Sequence, residues 1–186
     1  MNQDGETILH HLAAVRAERT ARSTDAGLAE RVAQVKRHQQ ARFAHTYADL
    51  LGHPRYAGAA RFFLDDLYGP GDFSQRDTQF ARIVPALVRL FPAEVVATVA
   101  SLTALHALSE QLDSEMARHV DALPMTAATY AAAWRCTGQP VSRQRQVDLM
   151  LDVGRALDIY TRRPLLRHSL RLMRAPARAA GLAALQ

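Results

Sequence analysis

An all-α fold, seven or eight helices packed as one irregular bundle, is what this sequence predicts. Apolar residues recur at helical spacing through most of its 186 residues. No Asn-Gly type of dipeptide separates runs of alternating polarity, as a hairpin would require. Proline and glycine cut the helical pattern into pieces without suggesting strands between them.

The elements follow in order. A first helix is expected over about 6–22 and a second over about 26–51, stopping at Gly52. The next starts near Pro54, where a missing N–H costs little in a first turn. It carries Tyr56, Ala59, Phe63 and Leu67 on one face and ends at Gly69-Pro70-Gly71. Ser74 with Asp77 three residues on reads as an N-cap with an acid at the third helical position. Phe80, Ile83, Val84, Leu87 and Leu90 then share one face, with a kink or break expected at Pro85. Pro92 restarts a long helix to about 121. Thr126 caps a short helix ending at Gly138, Ser142 caps another to about 162, and Pro164 opens a last one to about 174. Pro176 and Gly181 predict a frayed basic end over about 175–186, and the helix-like pattern at the final residues suggests a longer natural chain.

The length fits one domain, 1–186, with neither a repeat nor a linker. Its 48% apolar content is ordinary for a folded protein. The single cysteine, Cys136, cannot form a disulfide within the chain, which fits a reducing compartment. The start is polar and acidic rather than a secretory leader, and the longest apolar stretches fall far below the ~20 residues of a membrane span, so no transmembrane segment is expected. A cytoplasmic bacterial protein is the expectation, the preference for arginine over lysine suggesting a GC-rich genome. Cys136 itself reads as an inert core thiol.

Charge is uneven. Residues 1–60 sum to +2, 61–139 to −3 and 140–186 to +6, within a total of +5. The basic end lacks the interleaved aromatics of a single-strand binder, and no DNA- or RNA-binding signature appears, so nucleic acid is not the expected partner. Arg31, Lys36, Arg37, His38, Arg42 and His45 share a helix expected to present a solvated basic face, with an acidic partner as the alternative.

The stretch FFLDDLYGPGDFSQRD, residues 62–77, concentrates helix breakers and polar groups. Its structural reading is a helix end, a turn and a helix start, with Phe62, Phe63 and Leu67 as core anchors. Its functional reading is a loop presenting Asp66, Tyr68, Asp72 and Arg76 to a ligand or partner. This stretch, followed by FARIVPALVRLFP, resembles the signature of an uncharacterised family of bacterial helical proteins. The resemblance implies an all-helical fold, and it supplies no activity and no catalytic residues.

The helix after Pro92 holds the sharpest anomaly. His106, Ser109 and Asp113 project into a stripe formed by Val95, Val99, Leu102, Met116 and Val120, with Glu110 at its edge. Buried polar groups need partners, so the group reads as a satisfied network, a ligand site, or an acid–base cluster of His106, Glu110 and Asp113. No metal site is expected: there is no H-E-x-x-H or E-x-x-H, and one cysteine excludes a multi-cysteine zinc site. Phosphate-loop and nucleophile-elbow motifs are also absent. RFFLDDLYGP early in the chain and a histidine before DALPMTAATYAAAW resemble, in outline, the order of a globin. That resemblance implies haem with His119 as axial ligand. The leading expectation is a non-enzymatic binding or interaction module, for another protein or for itself. A globin-like haem or small-ligand binder using His106 or His119 is the alternative, and an enzyme using His106, Glu110 and Asp113 the second alternative.

Overall fold

The computed structural model describes residues 3–62, 64–65, 71 and 73–164. Within them are eight helices and no strand: α1 (Gln3–Ser23), α2 (Ala26–Thr46), α3 (Ala48–Gly52), α4 (Ala57–Phe62), α5 (Ser74–Leu90), α6 (Ala93–Arg118), α7 (Ala127–Thr137) and α8 (Pro140–Thr161). The all-α prediction holds. The helix expected from Pro164 to about 174 and the frayed end fall outside the described residues, as do Phe63, Leu67 and most of the glycine-proline turn.

Several boundaries differ from those the cap and breaker residues predict. The helix expected over 26–51 breaks at Tyr47 (φ −113, ψ 31), which stacks on Phe43 at 5.8 Å. No proline or glycine marks that break. Ser74 is the first residue of α5 rather than its cap. Phe73 occupies the cap position, and its carbonyl accepts the Asp77 N–H at 3.0 Å. Ser142 likewise lies inside α8, which starts at Pro140, a residue whose fixed φ suits a first turn. Pro85 does not end its helix. The neighbouring Val84 is fully buried and Leu87 packs on the same cluster, so packing offsets the one lost donor. Two residues placed on apolar helix faces, Tyr56 and Leu90, are exposed.

The chain divides into two compact units. The first comprises Met1–Ala17, Phe73–Ser109 and Pro140–Gln186. Its core is Ile8, Leu12, Val84 and Val96, with Phe80, Leu87, Phe91 and Val99 packed around them. Here α8 lies antiparallel to α6: Gln146 donates to Ser109 at 2.8 Å, and fourteen residues on Tyr160 donates to the Glu94 carbonyl at 2.8 Å. The second unit comprises Glu18–Asp72 and Glu110–Gln139. Its core joins Leu28, Val32 and Val35 of α2 to Met116, Ala117 and Val120 of the α6 end and to Tyr130 and Ala133 of α7. α7 is closed as predicted: Thr126 and Thr129 form a reciprocal capping box, and Gly138 ends the helix at φ 61.

α6 contains the one described segment long and apolar enough to cross a membrane, with mean hydropathy 1.2. No uninterrupted apolar run announces it, because Thr, Ser and His are interspersed. Its buried face is also shifted from the expected stripe: Val96, Thr103, Leu105, Leu112 and Met116 are inside, whereas Leu102 is exposed.

Candidate binding site

The end of the 62–77 stretch does meet α6. His106 Nε2 lies 3.2 Å from Asp77 Oδ2, and the Arg76 guanidinium sits 3.7 Å from the other Asp77 oxygen and 4.2 Å over the Phe73 ring. Asp77 is placed there by the first turn of α5, where an acid also complements the helix dipole. The side chains of His106, Asp77 and Arg76 are each largely buried. Asp66, Tyr68 and Asp72 lie outside the described residues.

One helical turn further, Glu110 has a different set of partners, all in the second unit. Only 3% of it is exposed, and it accepts from Arg19 at 3.1 Å, from Lys36 at 2.8 Å and, by a short contact, from Arg22. Arg22, itself buried, also reaches the Ser114 hydroxyl at 3.4 Å. Burial alone pushes the Glu110 carboxyl up; Lys36, Arg22 and Arg19 together outweigh it and hold the group well below its ordinary 4.5. Asp113, one turn on again, accepts from Gln39 at 3.1 Å. Among the described contacts, His106, Glu110 and Asp113 share a helix and pair with Asp77, with Arg19, Arg22 and Lys36, and with Gln39. His119 is exposed, just past the end of α6. Among the described residues no group of three His, Cys, Asp or Glu side chains is placed to hold a metal ion.

The helix read as a solvated basic face is something else. Lys36 is turned to Glu110, and Arg31 Nε donates to the Ala117 carbonyl at 3.1 Å. His38 stacks on Tyr130 with ring centres 4.6 Å apart, and the Arg42 guanidinium lies 5.4 Å from the same ring. Tyr130 stacks in turn on Trp134 at 6.3 Å. The result is a ladder, His38–Tyr130–Trp134, buried at Tyr130 and partly exposed at Trp134. Partial burial, then the Arg42 charge, holds the His38 imidazole below its ordinary 6.5, which favours the neutral ring. Exposed Arg135 and Cys136 follow Trp134 on α7; Cys136 is a surface thiol, not the core thiol expected. The i, i+4 spacing of Tyr130 and Trp134, like that of His38 and Arg42, was visible in the sequence. Their pairing across two helices was not, because it depends on the α2–α7 packing.

Comparison with known proteins adds a family. A family model described as a domain of unknown function, DUF8198, matches residues 18–186, and the chain belongs to that family. No curated protein matches, and no solved structure does.

Proposed function

We propose that this member of a family without assigned function is a non-enzymatic binding module, and that the α2–α7 face of its second unit receives an acidic protein segment. The observation that carries this reading is the aromatic ladder with a cation on it: Trp134 39% exposed, Tyr130 stacked on it, Arg42 over Tyr130. Aromatic and arginine side chains are the types that anchor protein interfaces. The charge has the matching sign: the Arg42 guanidinium lies over Tyr130, and exposed Arg135 follows Trp134 on α7. The three cations paired with Glu110 support the non-enzymatic half of the reading. An ion-paired carboxylate held far below neutral pKa is a poor general acid at pH 7.

The test is fluorescence anisotropy with a dye-labelled, glutamate-rich peptide carrying one aromatic residue. Saturable binding that weakens with added salt is expected, and Arg42→Glu and Trp134→Ala should each remove most of it while leaving far-UV circular dichroism unchanged. No binding, or binding indifferent to both variants, refutes the proposal. Preference for a single-stranded oligonucleotide over the peptide would assign the face to nucleic acid instead.

A further inference from the structure

The basic residues of α2 divide into two sets. Arg31, Lys36 and Arg37 are engaged: by the Ala117 carbonyl, by Glu110 and by Glu30. His38 and Arg42 are held through Tyr130 alone. The Arg42 guanidinium is exposed and lies 5.4 Å from the Tyr130 ring centre, and among the described residues no carboxylate pairs with it. His38 stacks on the same ring at 4.6 Å and 26°. It is half-buried, and among the described residues neither of its ring nitrogens has a hydrogen-bond partner.

Residues one helical turn apart are neighbours on a helix surface, with Cβ atoms about 5–6 Å apart. His38 and Arg42 have that spacing, and both reach one ring. A single carboxylate can therefore accept from the guanidinium through one oxygen and from the imidazole through the other. We infer that His38 reads the charge of the incoming acidic segment: a carboxylate of that segment is held between Arg42 and a protonated His38, so that docking takes up one proton. The inference rests on the reading of the α2–α7 face as the site of an acidic segment. The proton comes from solvent and stays on the imidazole.

The groups around His38 set the direction of this exchange. On α2 the neighbouring charge is Arg42, which acts on His38 and opposes its protonation. α7 brings Tyr130 against the ring, with exposed Arg135 beyond it. The α6 end, in the same core, carries Asp113, engaged by Gln39, and Arg118, paired with Glu115. Partial burial and the Arg42 charge together keep the unoccupied ring neutral near pH 7. A docked carboxylate offsets the Arg42 charge and favours the imidazolium, whose hydrogen bond to it is charge-assisted. The bound pKa thus lies above the free one. Affinity is highest below the free value and falls as pH rises through the bound value. A shift of about one unit corresponds to about tenfold in affinity.

The histidine Cε1–H resonances of the full chain, followed by NMR from about pH 5.5 to 8, test this. The titration is run with and without the glutamate-rich peptide, whose own carboxylates stay largely ionised over that range. Loss of one signal in His38→Gln identifies His38 among the eight histidines. On saturation with peptide its pKa should rise by about one unit, and the wild-type dissociation constant should grow about tenfold across the range. His38→Gln should lose most of that dependence and bind at every pH as wild type does at pH 8. A peptide that binds while His38 keeps its free pKa overturns the inference and leaves the face as an acidic-segment site. A His38→Gln variant with the wild-type pH profile does the same. A peptide that fails to bind at every pH overturns this inference together with the reading it rests on.

Discussion

Replacing Glu110 by Gln removes one negative charge and leaves the shape. The consequence depends on where the three cations can go. Arg19 and Lys36 side chains are each 17% exposed and near the surface, so both can turn outward and recover hydration. Arg22 cannot follow so readily: its side chain is 9% exposed and held between Glu110 and Ser114. Removing one partner of a buried ion pair costs about 3–5 kcal/mol, chiefly because the other charge is stranded. With Arg22 as the stranded charge and the other two relieved, a loss of about 3 kcal/mol is expected. For a chain of this length each kcal/mol shifts the midpoint by about 2–4 °C, so the melting temperature should fall by about 6–12 °C. Thermal denaturation followed by far-UV circular dichroism measures it. Arg22→Met combined with Glu110→Gln should recover part of the loss by removing the stranded charge. The pH dependence gives a second, independent check. The carboxyl's folded pKa is depressed, so its contribution is fully present above the unfolded value of 4.5 and is lost as pH falls below it. Wild type should lose midpoint temperature relative to the Glu110→Gln variant only on that acid side. A change under about 2 °C at neutral pH, or parallel pH profiles, would refute the argument that Glu110 is a buried counter-charge.

Two further outcomes are expected. Thr126→Ala removes the oxygen that accepts the Thr129 N–H at 3.2 Å and should cost about 1 kcal/mol, read as a urea midpoint shift at unchanged slope. Cys136 should react with a thiol reagent in the native protein as fast as it does in denaturant, because it is exposed; protection by folding would contradict its placement.

What could be read in the sequence was local. The α7 caps, Thr126 and Gly138, were legible because both act within a few residues of themselves. The break at Tyr47 was not, since it comes with aromatic stacking rather than a breaker residue. The apolar stripe on α6 drifted by a residue because the helix buries different faces along its length, and periodicity averages over them. His106, Glu110 and Asp113 were rightly singled out as polar groups on a burying helix, but their partners lie 29, 74 to 91 and 74 residues away. Spacing along one helix suggested a mutual cluster; the described contacts pair each with a residue on another helix. Lys36 illustrates the same limit. As part of a run of cations it looked hydrated, yet an ion pair with a buried acid claims it.

The stacked ladder has an optical consequence. Trp134 is the only tryptophan in the chain, and its ring neighbours Tyr130 within the second unit. Its emission therefore follows the surroundings of α7, whereas the amide absorption of the helices sums over the whole chain. Melting the same sample by the two signals asks whether the molecule comes apart in one step or two. Coincident curves would mean that the chain is a single thermodynamic body; an early change in emission would date the loosening of the α2–α7 contact separately from the rest.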